Sequence, residues 1–156
     1  MAGMEKIPCL SDLRDDANFA LLIRQVREGL MQQLERELTA IGVELNYSQY
    51  LVLKILAKYG PQMPGDLART LDHNAGAMTR LLDRLEDKGY LRRQPHAEDR
   101  RALRIDLTEA GQAMWLTINH SSERIQATAL RDLDETERSK LFELMKRVRD
   151  TLEKTP

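Results

Sequence analysis

The stretch Asn74-Ala75-Gly76-Ala77-Met78-Thr79-Arg80-Leu81-Leu82-Asp83-Arg84-Leu85-Glu86-Asp87-Lys88-Gly89 decides how this chain folds. Asn74 is a good N-cap and Gly89 a natural stop, so the spacing predicts a helix over Ala75 to Lys88. Met78, Leu81, Leu82 and Leu85 recur at three- and four-residue spacing and form its buried stripe. At about 100° per residue the opposite face carries Gly76, Arg80 and Asp83, with Thr79 and Arg84 on its flanks. The small residues Ala75, Gly76 and Ala77 let the start of this helix approach another surface closely.

On the C-terminal side, Tyr90 to Gln94 reads as a strand, Pro95 to Arg100 as a polar hairpin tip, and Leu103 to Leu107 as the returning strand. On the N-terminal side, Gly60-Pro61 breaks the chain, and Pro64 suits the first turn of a short helix carrying Leu67, Ala68 and Leu71. Before it, Asn46 caps a helix that runs from Tyr47 to Gly60, apolar nearly all round and therefore the buried central one. Two helices joined by a short turn, then a basic-tipped hairpin, make a winged helix-turn-helix. In that arrangement the second helix enters the major groove of DNA and contacts bases near its N-terminus.

Three further amphipathic helices flank this unit. The first is expected from about Asp15 to Thr39, with Phe19, Leu22, Ile23, Val26, Leu30 and Leu34 on one stripe and Gly42 as its stop. Thr108 caps a long helix through Met114, Trp115, Ile118 and Ile125. Asp134-Glu135-Thr136-Glu137 resembles a capping box and opens a last helix striped by Leu141, Leu144, Met145, Val148 and Leu152. Their apolar faces need a partner, supplied either within the chain or by a second copy, and a symmetric dimer also delivers two DNA half-sites. The expected architecture is mainly α: α1-α2-α3-α4, a β-hairpin wing, then α5-α6. Residues 15–42 and 109–154 form the dimerisation helices and residues 46–107 the DNA-binding lobe.

Bulk properties fit this reading. A chain of 156 residues suits one domain with a real core. No apolar run approaches the roughly 20 residues that span a bilayer, and residues 1–16 lack the basic-then-apolar order of a secretory signal. With Cys9 as the single cysteine, an intrachain disulfide framework is excluded and a cytoplasmic setting is expected. Net charge is −1, yet Asn74 to Arg104 holds eight Lys/Arg against five acids, a local +3 that leaves −4 elsewhere. Such a footprint suits phosphate, although a solvated charged face has the same composition.

The residues also carry a family resemblance. Asp66-Leu67-Ala68, then Met78 through Tyr90, then Asp99-Arg100-Arg101, then Leu107-Thr108-Glu109-Ala110-Gly111 together resemble the MarR (multiple antibiotic resistance regulator) family, over roughly Phe19 to Leu152. The resemblance implies a homodimeric transcriptional regulator on a palindromic double-stranded DNA operator, acting as a ligand-responsive repressor. Asn74, Ala75, Gly76, Thr79, Arg80 and Arg84 then belong to the DNA-contacting helix. Arg100 and Arg101 belong to the wing, with Arg101 in the minor groove and Asp99 holding the tip. A hairpin-tip arginine suits a narrow minor groove, where the negative potential is strongest. Asp83 and Asp87 read as structural or solvated, since carboxylates repel phosphate.

The resemblance further implies a small aromatic or amphipathic effector. Met31, Tyr50, Met114 and Trp115 can line a crevice between the first, second and fifth helices, or simply pack the core. No enzyme is expected, because no Gly-rich phosphate loop or nucleophile elbow is present. His73, His96 and His120 are scattered and read as polar or cap-adjacent, so neither a metal nor a cofactor is expected. Cys9 precedes the first helix, outside the position where hydroperoxide-sensing relatives carry a reactive cysteine, and nothing near it in sequence lowers its pKa. The alternative to a DNA-binding regulator is a helical dimerisation or adaptor protein whose winged helix contacts other proteins.

Overall fold

The computed structural model describes residues 18–95 and 103–154. Cys9, His96, Asp99, Arg100 and Arg101 lie outside them. The element order is α1 (Phe19–Ala40), α2 (Tyr47–Tyr59), α3 (Pro64–Thr70), α4 (Ala75–Asp87), β1 (Leu91–Pro95), β2 (Leu103–Leu107), α5 (Glu109–Ala129) and α6 (Glu135–Lys154).

Local chemistry sets the boundaries. Asn46 and Gln49 form a reciprocal capping box, with Oδ1 of Asn46 2.9 Å from the Gln49 N–H and Oε1 of Gln49 3.0 Å from the Asn46 N–H. Asp134 and Glu137 do the same at α6, both at 2.9 Å. α1 starts later than its sequence suggests: Asn18, not a residue near Asp15, supplies the cap, its Oδ1 accepting from the Leu21 N–H at 3.0 Å. Gly42 and Gly89 end α1 and α4 at φ +77°, and the next N–H in each case returns to a carbonyl five residues back. The turn between α3 and α4 makes the same closure without glycine. Asp72 takes φ +52°, tolerable for aspartate, and the His73 N–H bonds the Ala68 carbonyl at 2.9 Å.

The wing is a two-stranded antiparallel pair in which Leu91 faces Leu107 and Pro95 faces Leu103. β1 is shifted one residue from the expected strand. Tyr90 instead closes α4 through its N–H to the Leu85 carbonyl, and Pro95 joins the ladder. The proline fits because Ile105 directs both its N–H and C=O at Gln62, at 2.8 and 3.0 Å. Backbone groups alternate sides along a strand, so residues 103, 105 and 107 all face away from β1, and Pro95 sits where no ladder donor is needed.

The core gathers Leu34 and Leu38 from α1, Val52, Leu53 and Leu56 from α2, and Leu67 from α3. Met78, Leu82 and Leu85 of α4 join them, with Leu91, Ile105 and Leu107 from the hairpin and Ile118 and Ile125 from α5. α1 packs along α5, α2 lies against α5 and β2, and α4 is held between α3 and β1. Thr108 splices the end of α4 to the start of α5. Its N–H bonds the Tyr90 carbonyl at 3.1 Å, its hydroxyl donates to the Gly89 carbonyl at 2.5 Å, and its Oγ1 accepts from the Gly111 N–H at 3.0 Å.

The two ends of the chain stand apart from this core. Phe19, Leu22 and Val26 on α1 are each about half exposed, and α6 buries none of its side chains, leaving Leu141, Phe142, Leu144, Met145, Val148 and Leu152 open. Among the described residues, no helix is long and apolar enough to cross a membrane.

Candidate nucleic-acid interface

α4 presents its stripe as the sequence requires: Met78, Leu81, Leu82 and Leu85 are buried. Asn74, Ala75, Gly76, Thr79, Arg80 and Arg84 are all exposed. The Asn74 Oδ1 accepts from the Ala77 N–H at 2.8 Å, so this residue acts first as a cap. Thr79 donates its hydroxyl proton to the Ala75 carbonyl at 2.9 Å, which leaves its oxygen lone pairs outward. Arg80 folds back toward the helix start, its Nη1 3.8 Å from where a Cβ on Gly76 would lie. A methyl group at residue 76 would make only ordinary contact with Arg80 and with the Asn74 side chain. His73 braces the preceding turn: Nδ1 is 2.7 Å from the Leu71 carbonyl and Nε2 3.2 Å from the Ser48 hydroxyl. The carbonyl can only accept, so Nδ1 carries the proton in the neutral ring and Nε2 accepts from Ser48.

Several cations of this segment are held by contacts within the protein. Arg92 is paired with Asp106 at 2.8 Å. Arg93 is paired with Asp83 at 2.5 Å and with Glu86. Lys88 donates to the Glu44 carbonyl at 2.8 Å and Arg104 to the Pro61 carbonyl at 3.0 Å. Arg80 and Arg84 have no ion pair among the described residues. Asp83 is thus a structural partner of Arg93.

Two clefts open beside α1, and the first of them reaches α4. Arg84 lines an open groove of about 640 Å³ together with Glu35, Glu44, Gln49, Asp87 and Lys88. Its residues come from three separated segments, so no local sequence pattern announces it. A narrower cleft of about 160 Å³ joins Met31, Leu34, Leu38, Leu45, Tyr47 and Tyr50. Of the four residues expected around an effector, Met31 and Tyr50 share this cleft. Trp115 instead packs on the Tyr50 ring, centroids 6.0 Å apart, and Met114 packs with it against the core. Among the described residues, no group of three or more His, Cys, Asp or Glu is placed to hold a metal.

Residues 45–103 match the MarR family model. The chain is 32% identical over 104 residues to the uncharacterized HTH-type transcriptional regulator YpoP of Bacillus subtilis, covering 66% of this chain and 69% of that one. It is 27% identical over 116 residues to the HTH-type transcriptional repressor MdtR of the same organism, covering 74% and 71%. The crystal structure of a mutant E. coli MarR complexed with operator DNA superposes with a TM-score of 0.71 at 27% identity, covering 83% of this chain and 91% of that one. These likenesses favour a regulator over an adaptor or an enzyme. Six helices and a paired hairpin in the winged order, with a helix exposing Thr79 and Arg80, belong to a DNA-binding transcriptional regulator, and the chain is a member of the MarR family.

Proposed function

We propose that this chain binds a palindromic operator as a homodimer and acts as a ligand-responsive repressor in the cytoplasm. The single observation that carries this reading is the contrast along α4 and its neighbours. Arg92 and Arg93 are spent on intramolecular pairs, while Thr79 and Arg80 remain outward near the helix start. Residues 46–107 are the reading lobe of a single domain spanning 1–156. Residues 15–42 and 109–154 supply the dimer contacts. Their exposed stripes on α1 and α6 support this, since contiguous apolar surface of that kind marks an interaction face. Asn74, Ala75, Gly76, Thr79, Arg80 and Arg84 meet the major groove, and Arg100 and Arg101 reach phosphate and minor groove with Asp99 steadying the tip. The operator-bound E. coli relative and the repressor MdtR support operator binding and repression.

Release follows from a small aromatic or amphipathic effector seated beside Met31 and Tyr50, with Trp115 and Met114 behind them. The cleft of about 160 Å³ is below the roughly 300 Å³ of an ordinary ligand pocket, so binding widens it. Widening changes the distance between the two recognition helices, and the effector acts by preferring the mis-spaced dimer.

Selection of bound sequences from a random DNA pool tests the core of this reading. An inverted repeat with half-sites about 10 base pairs apart is the expected product. A pool that stays random would overturn it. Calorimetry with and without operator tests the effector: reciprocity requires that DNA weaken its binding by the same factor by which it weakens DNA binding.

A further inference from the structure

We propose that Arg93 is a positioning residue that locks the wing to the recognition helix, so that the two DNA-reading parts move as one body. The proposal rests on α4 and the wing being the DNA-contacting surfaces. Arg93 lies mid-strand in β1, opposite Ile105, and its side chain is 25% exposed. One guanidinium nitrogen reaches Asp83 at 2.5 Å and another reaches Glu86. Those two acids are three residues apart on one face of α4. A planar fork that engages two carboxylates from adjacent turns of the helix fixes direction as well as distance, which a lysine cannot do. The inner strand is held separately, by Ile105 to Gln62. Arg93 is thus the polar tie between the outer strand and α4.

Charge alone runs the other way. Removing Asp83 and Glu86 raises the local charge by two beside phosphate, and that favours DNA binding irrespective of sequence. Losing the tie instead lets the wing drift relative to α4. The two effects have opposite signs on operator affinity, which makes the acids, rather than Arg93 itself, the sharper test.

The experiment compares the full-length chain with Asp83→Ala/Glu86→Ala and Arg93→Met, titrated at fixed salt against the selected operator and against random duplex. Both variants should bind operator about tenfold more weakly, with the wing side of the hydroxyl-radical footprint lost first. The double variant should bind random duplex at least as tightly as the parent. If it binds operator as tightly as the parent, with an unchanged footprint, the positioning role is overturned and the acids act only through charge. If Arg93→Met fails to fold, the double variant decides by itself, because both acids are at least partly exposed and alanine favours helix. A parent chain that does not distinguish operator from random duplex sinks the operator reading itself, an outcome distinct from failure of the tie.

Discussion

Gly111 and the carbonyl of Tyr90 share a contact with no room for a methyl group: a Cβ on residue 111 would meet both the oxygen and the carbon of that carbonyl. The obstruction is backbone, and the same carbonyl accepts the Thr108 N–H, so it cannot simply turn away. This accounts physically for a glycine three residues after the Thr108 cap. Gly111→Ala should lower stability by up to about 2 kcal/mol. Overpacking costs about 1–3 kcal/mol, against about 1 kcal/mol gained in helix propensity. Denaturant unfolding checks this, and an unchanged midpoint would mean the turn yields freely.

A charge in the α6 stripe separates assembly from folding. Leu144 and Val148 lie on a helix with no buried residue, so Leu144→Glu/Val148→Asp should leave the lobe folded. The homodimer should dissociate at micromolar concentration, and the two half-sites should then bind independently. Sedimentation velocity over a concentration series reads the outcome. A variant that stays dimeric would place the interface elsewhere.

Arg80→Ala should alter discrimination among operator variants by about 1–3 kcal/mol if it removes a base contact. Arg101→Ala should weaken binding to all of them and flatten the salt dependence, because one cation per subunit leaves the groove. Titrations over several salt concentrations distinguish the two. An Arg101→Ala variant with unchanged affinity would remove the wing from recognition.

Glu37 on α1 holds Arg124 on α5 at 2.6 Å. The hydrogen bond from Arg124 keeps the Glu37 carboxyl below its ordinary value of 4.5. Burial is the next largest influence and opposes this, while Ser121, the Arg124 charge and His120 add smaller lowering effects. A depressed folded-state value means the stabilisation is present above pH 4.5 and is lost as pH falls through the lower folded value. Glu37→Gln should therefore be less stable at neutral pH by up to about 1 kcal/mol, less in high salt, and equal to the parent in strong acid. Thermal melts of both proteins between neutral pH and strong acid check this. A difference that persists in acid would assign the effect to packing.

Sequence reading reached the elements whose signals are local. The Met78-Leu81-Leu82-Leu85 period, the Asn46, Asn74 and Thr108 caps and the Asp134–Glu137 box each specify an element within a few residues, and the structure places them as read. It did not reach contacts between distant segments. The Gln62–Ile105 bridge spans a helix-turn-helix, and its only trace was a break at Gly60-Pro61. The Arg93 tie had a faint signal, two acids three apart on a helix expected to face phosphate, which calls for an internal cation. Counting cations by segment overlooked it, because pairing within the protein is invisible to composition. The one-residue shift of β1 had the same origin. Pro95 looks like a turn residue until the register shows that its missing donor falls on the open edge.

The Thr108 splice makes a lever of the molecule. With the last carbonyls of α4 and the first turn of α5 bonded through one residue, a change in slope at that joint has little slack in which to be absorbed. α5 has 21 residues, an arm of about 30 Å at 1.5 Å per residue. A tilt of about 5° at the fulcrum carries the far end of such an arm through about 3 Å, comparable to the rise of one base pair. A small angular change at this joint, next to α4, is therefore a displacement of about one base-pair rise at the opposite end of α5, far from the helix that exposes Thr79 and Arg80.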